Sequence, residues 1–166
     1  MNTQPHTPQE WATQAVAALE QTAVGLLASG VVTASDPRPP TLDNGHAWAA
    51  LVHLKCNDES IHLALSSTRD GCANLAGEGL YEDPANLSSE MISDAMGETI
   101  NIVGGILEQG IQEWDPHATL GLPVVVERRI VTPRGSHSVA VPVKIDDVEV
   151  ELLVVRGSRT TAELVV

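Results

Sequence analysis

The stretch Glu90-Met91-Ile92-Ser93-Asp94-Ala95-Met96-Gly97-Glu98-Thr99-Ile100-Asn101-Ile102-Val103-Gly104-Gly105 decides how this chain is read. On a helix of 3.6 residues per turn, Ile92, Met96, Ile100, Val103 and Leu107 fall on one side, which makes that side a core face. The helical pattern runs from about Leu87 to Glu113 and is the longest in the chain. Ser88 or Ser89 is placed to cap it, and Glu90 sits in the first turn, where the helix dipole favours an acid.

A second stripe, Glu90, Asp94, Glu98, Asn101 and Gly105, runs along another side at spacings of four and three. It carries three acids and no lysine or arginine, although cations at i+4 would stabilise an ordinary solvent face. Gly97, Gly104 and Gly105 lie on or beside it. Each glycine inside a helix costs about 1 kcal/mol relative to alanine, so three need a reason, and close approach of another backbone is one. The residues alone leave two readings open. The stripe is a docking surface with Glu98 and Asn101 projecting from it, or a solvated acidic face whose glycines pack against a neighbouring helix of the same chain.

Outward from this helix, residues 1–8 read as a short disordered lead and 9–166 as a single domain. Trp11 to Leu27 has helical spacing through Ala15, Leu19, Ala23 and Leu26. The prolines of Asp36 to Pro40 make a loop. Ala47 to Lys55 and Ser60 to Leu65 form a strand pair around Asn57-Asp58, and Thr68 to Leu80 is a glycine-punctuated helix. The last third is β: Leu122 to Ile130, Ser136 to Ile145 and Val148 to Val155, the last two alternating and joined at Asp146-Asp147. Pro142 lacks a donor, so its strand is an edge or carries a bulge. Grouped strands and helices predict an α+β fold, an antiparallel sheet with a layer of helices on one face.

Composition narrows the function. A formal net charge of −13 argues against nucleic acid and against an anionic membrane surface, both of which need a basic footprint. Aromatics are 2% with no Phe, so the core must be aliphatic. No apolar run is long enough to span a bilayer, and Met1 to Glu10 lacks the basic start of a signal peptide, so a cytoplasmic location is expected. Cys56 and Cys72 read as reduced, partly buried thiols.

The run Asp94-Ala95-Met96-Gly97-Glu98-Thr99-Ile100-Asn101-Ile102-Val103-Gly104-Gly105 resembles the signature of the CheC/CheX family of chemotaxis phosphatases, a Glu-x-x-Asn motif on a long helix. The match at Asp94, Ala95, Gly97, Glu98, Asn101 and Gly105 is specific in combination, and Ile102 departs where the family often has Met. The element order agrees along nearly the whole chain. CheC-type members carry two motif helices; here Glu20 is followed three residues on by Ala23, so one motif is intact, the CheX arrangement.

The resemblance implies a phosphatase acting on a phosphorylated CheY-like receiver domain in chemotaxis or another two-component pathway. It implies Glu98 and Asn101 as catalytic residues, with Glu90, Asp94, Gly97, Gly104 and Gly105 docking the partner. It implies no cofactor of the chain's own, since Mg2+ would come with the receiver. It also implies a homodimer joined through the sheets, for which the Val-rich C-terminal hairpin offers an edge. A non-catalytic module that docks a receiver is the alternative.

Other constellations are weaker. His53 and His62 lie on adjacent strands without a third metal ligand, so no metal site is expected. Asp146, Asp147, Glu149 and Glu151 lack calcium-loop spacing. Asp94 and Glu98 point the same way rather than flanking a bond, and no nucleophile elbow or P-loop is present.

Overall fold

The computed structural model describes residues 7–26, 30–41, 46–57, 59–128, 130, 132 and 136–158. Helix α1 spans Pro8–Leu26. It starts three residues before its first large apolar residue because Thr7 and Glu10 cap it reciprocally. Glu10 N–H donates to Thr7 Oγ1 at 3.2 Å, and Thr7 N–H donates to Glu10 Oε2 at 2.9 Å. Thr7 and Pro8 thus belong to the helix start; the rest of the expected lead, residues 1–6, lies outside the described residues.

Seven strands follow: β1 (Val32–Ala34), β2 (Trp48–Lys55), β3 (Glu59–Ser67), β4 (Thr119–Leu120), β5 (Val124–Val126), β6 (His137–Ile145) and β7 (Val148–Ser158). They form one antiparallel sheet in the order β1-β6-β7-β3-β2-β4, with β5 also on β2. Helices α2 (Arg69–Leu80) and α3 (Ser89–Gln112) join α1 on one face. The α+β expectation describes this architecture.

Strand alternation builds the main core. Val52, Leu54, Ile61, Leu63, Val141, Val143, Leu152 and Val154 point at the helices and are buried there with Trp11, Leu19, Ile92 and Ile100. Burying each such side chain is worth about 1.5–3 kcal/mol. The opposite face carries a smaller cluster of Ala49, Leu51, Ala64, Ala140, Leu153 and Val155, packed by Val126 and Ile130.

Two expectations about the β-rich third need correction. The stretch Leu122 to Ile130 is not one continuous strand: among its described residues only β5, Val124–Val126, is strand, and β4 lies before it, across Gly121–Pro123. The C-terminal hairpin is not an open edge either. Strand β7 lies between β6 and β3, and the outer side of β6 is occupied by the segment Val32–Arg38. Ser35 N–H donates to the Pro142 carbonyl at 2.9 Å. A residue's N–H and C=O leave a strand on the same side, so the donor missing at Pro142 faces β1 and the ladder to β7 is intact. Strand β1 was invisible in the sequence because its three residues sit just before a proline-rich loop.

Asp115 fastens the end of α3 to the β2–β3 connection. Its buried carboxylate accepts from Asn57 N–H at 2.7 Å, Asn57 Nδ2 at 2.8 Å and His117 N–H at 3.1 Å. The other partner in the expected turn, Asp58, lies outside the described residues.

Candidate functional site

Helix α3 is set by its ends and its core face. Ser88 caps it, accepting from Met91 N–H at 3.2 Å. Ile92, Met96, Ile100, Val103, Leu107 and Ile111 are buried. With that face fixed, Glu90, Asp94 and Glu98 are exposed and Asn101 is half-buried. Among the described residues, none of these four side chains forms a hydrogen bond or ion pair. Glu98 and Asn101 stand about 4.5 Å apart along the axis and about 60° apart around it, so both reach the same patch of surface.

The three glycines divide. A Cβ on Gly105 would meet nothing within 4 Å, so this residue leaves open ground beside Glu98 and Asn101. Gly97 and Gly104, expected to clear the way for a partner, are buried against the chain itself. A Cβ on Gly104 would stand 2.7 Å from Leu120 Cδ1 and 3.1 Å from Val52 Cγ2. One on Gly97 would stand 3.5 Å from Val125 Cγ2 and 4.0 Å from Pro123 Cβ. The close approach inferred from the glycines exists at these two positions, but the approaching segment is 118–126.

That segment is a strap along one flank of α3, and the sequence reading did not assign it to the site. Glu108 Oε1 accepts from Leu120 N–H at 2.9 Å, and Gln112 Nε2 donates to the Ala118 carbonyl at 3.3 Å. Gly121 N–H donates to the His53 carbonyl at 2.7 Å, tying the strap to β2. The only sequence signal for it was the pairing of buried helix glycines with a short Val-rich stretch downstream.

Residues 49–144, more than half of the chain, match the family model described as Chemotaxis phosphatase CheX. The chain belongs to the CheX family. Among solved structures it is similar to chemotaxis protein CheX from Vibrio vulnificus, with TM-score 0.74 and 18% identity over 89% of this chain and 99% of that one. It is similar to a CheX-CheY-BeF3-Mg complex from Borrelia burgdorferi, with TM-score 0.75 and 14% identity over 88% and 97% of the two chains. A CheC-like superfamily protein from a Shewanella species gives TM-score 0.75 and 12% identity over 89% and 97%. At these identities the likeness establishes the CheC/CheX-type fold. No curated protein matches the chain.

None of the remaining singled-out residues belongs to the exposed stripe of α3. His53 and His62 stack on the face opposite the helices, with ring centroids 4.3 Å apart and planes within 6°. Burial, and then the Lys55 ammonium, hold the His53 imidazole below its ordinary value. Parallel stacked rings do not converge their nitrogens on one point, and no group of three or more metal-ligating side chains occurs among the described residues. Cys56 and Cys72 are free and buried; burial, the largest cause for each, pushes both thiols up to about 12, which favours the protonated thiol at neutral pH. In the acidic hairpin, Glu151 is buried against Arg38 at 3.2 Å, whereas Asp147 meets Lys144 at 3.8 Å in solvent. Among the described residues no helix is long and apolar enough to cross a membrane.

Proposed function

We propose that this protein hydrolyses the aspartyl phosphate of a CheY-like receiver domain, with Asn101 orienting the attacking water and Glu98 fixing the register of the two proteins. One observation carries the reading: exposed Glu98 and half-buried Asn101 lie on one side of α3, without a side-chain hydrogen bond or ion pair among the described residues, beside the open ground at Gly105. The Borrelia burgdorferi complex of CheX with CheY supports a CheY-type partner for this fold.

The chemistry asks little covalent work of the chain. Water attacks phosphorus as the bond to the aspartyl oxygen breaks; the carboxylate leaves, the water's oxygen stays on inorganic phosphate, and its proton passes to phosphate or solvent. Catalysis then depends on in-line placement and charge stabilisation. The Asn101 amide can accept from the water with its oxygen and donate to it or to the phosphoryl group with its nitrogen. The Glu98 carboxylate would be repelled by a phosphoryl group alone, so its place is on a cation of the receiver, the lysine beside the acyl phosphate. Mg2+ belongs to the receiver in this scheme, and the chain brings no cofactor.

Glu90 and Asp94 extend the acidic face toward the start of α3 and complete the docking surface with Gly105. A cytoplasmic homodimer is part of the proposal by family resemblance; β7 is interior and β1 pairs with Val143–Ile145 of β6, which argues against that part of the hairpin as the pairing edge.

The test is phosphate release from acetyl-phosphate-charged receiver domains of the same genome, with binding measured in parallel. Faster release from one receiver supports the phosphatase. A receiver that binds tightly and loses phosphate at its own intrinsic rate would make this chain a docking module.

A further inference from the structure

We infer that Leu122 is a specificity-determining contact for the partner of the motif helix, gripping an apolar spot on the receiver beside its phosphorylation site. The inference rests on the docking of a receiver at Glu98 and Asn101.

The first observation is a bulge. Leu120 pairs with Leu54 and Val124 pairs with Leu51, so four steps along the strap are matched by three along β2. Gly121 N–H still bonds to His53, so the extra residue falls at Leu122–Pro123. Bulges on edge strands turn a side chain out of the regular alternation. Pro123 faces Gly97 of the helix, and Leu122 is left 89% exposed, the most exposed large apolar side chain among the described residues.

The second observation is where this happens. Leu120 lies against Gly104 and Pro123 against Gly97. Seven helical residues and three extended ones each span about 10 Å, so strap and helix run abreast in opposite directions. Asn101 lies between Gly97 and Gly104 on the helix, and Gly121-Leu122 lies between Leu120 and Pro123 on the strap. Leu122 therefore stands on the flank of the catalytic amide. A partner seated with its phosphoryl group at Asn101 would have to cover this flank of the helix, where the strap carries Leu122, as well.

The strap is held as a rigid support. Leu120 fills the notch at Gly104, and Glu108, Gln112 and His53 hold its backbone. With the backbone already held, only the rotamers of Leu122 remain to be ordered when a partner buries it, which lowers the cost of using it as a contact. The receiver it fits carries an exposed apolar side chain, not a charge, next to the acyl phosphate.

The experiment compares wild type, Leu122→Ser and Leu122→Met on the receiver that wild type dephosphorylates, with thermal midpoints as a folding control. Leu122→Ser is expected to raise KM about tenfold, the loss of one buried leucine contact, with kcat within about twofold of wild type. Leu122→Met is expected to restore KM, and all midpoints to agree. An unchanged KM in Leu122→Ser, or a fall in kcat at constant KM, overturns the inference while leaving the phosphatase reading intact. If receivers bind without faster phosphate loss, the phosphatase reading fails, and the same variants read as Kd still decide the role of Leu122: weaker binding by Leu122→Ser upholds it and equal binding overturns it.

Discussion

Gly104 of α3 and Leu120 of the strap fit so closely that a methyl group on Gly104 would stand 2.7 Å from Leu120 Cδ1. Val52 Cγ2, on a buried and stiff side chain, closes the other side at 3.1 Å. Gly104→Ala gains about 1 kcal/mol of helix propensity and loses about 1–3 kcal/mol to overpacking. The expected result is a net destabilisation of up to about 2 kcal/mol, read from denaturant unfolding.

Gly105 is the contrast one residue on. Its Cβ would meet nothing within 4 Å, so Gly105→Ala is expected to stabilise the protein by about 0.5–1 kcal/mol. The same methyl stands on the proposed docking ground, so receiver dephosphorylation should fall. Greater stability with lower kcat/KM, measured on one preparation, is the signature; equal activity would remove Gly105 from the docking surface.

These two glycines show where the sequence was legible and where it stopped. The spacing of Ile92, Met96, Ile100, Val103 and Leu107 identified the core face of α3, and the stripe opposite followed from geometry. Alternation in Val139–Ile145 and Val148–Val154 likewise identified the helix-facing side of two strands. A helical glycine, however, looks the same in sequence whether it admits a partner or the chain's own strap. Gly97 and Gly104 were indistinguishable from Gly105 until Leu120, Pro123 and Val125 were seen beside them. The enclosure of the C-terminal hairpin was equally hidden, because it depends on β1, more than 100 residues away in sequence from β6.

Asp115 is a prediction the sequence did not offer. Its carboxylate, 3% exposed, accepts three N–H donors from Asn57 and His117. Asp115→Ala would leave those donors without their acceptor and free the end of α3 from the β2–β3 connection. The expected cost is about 2–4 kcal/mol, seen as a lower denaturant midpoint. A midpoint unchanged from wild type would show that water replaces the carboxylate at no loss.

Acid should weaken the fold through histidine. His46 and His53 are both held below their ordinary value of 6.5, burial being the largest cause for each. A group whose folded value is depressed binds fewer protons in the native state than in the unfolded chain, so stability falls as pH drops below about 6.5 and the loss levels off below the folded value. Denaturant midpoints between pH 7.5 and 5 should decline, and His53→Asn should flatten part of that decline. A His53→Asn curve parallel to wild type would show that His53 does not contribute to it.

Asn101 is tested by single-turnover phosphate loss from a charged receiver with wild type and Asn101→Ala, together with the affinity of each for that receiver. Asn101→Ala is expected to bind within about threefold of wild type and to lose at least about a hundredfold in rate, the scale expected when one positioned group is removed. An Asn101→Ala protein that accelerates phosphate loss as well as wild type would contradict this expectation.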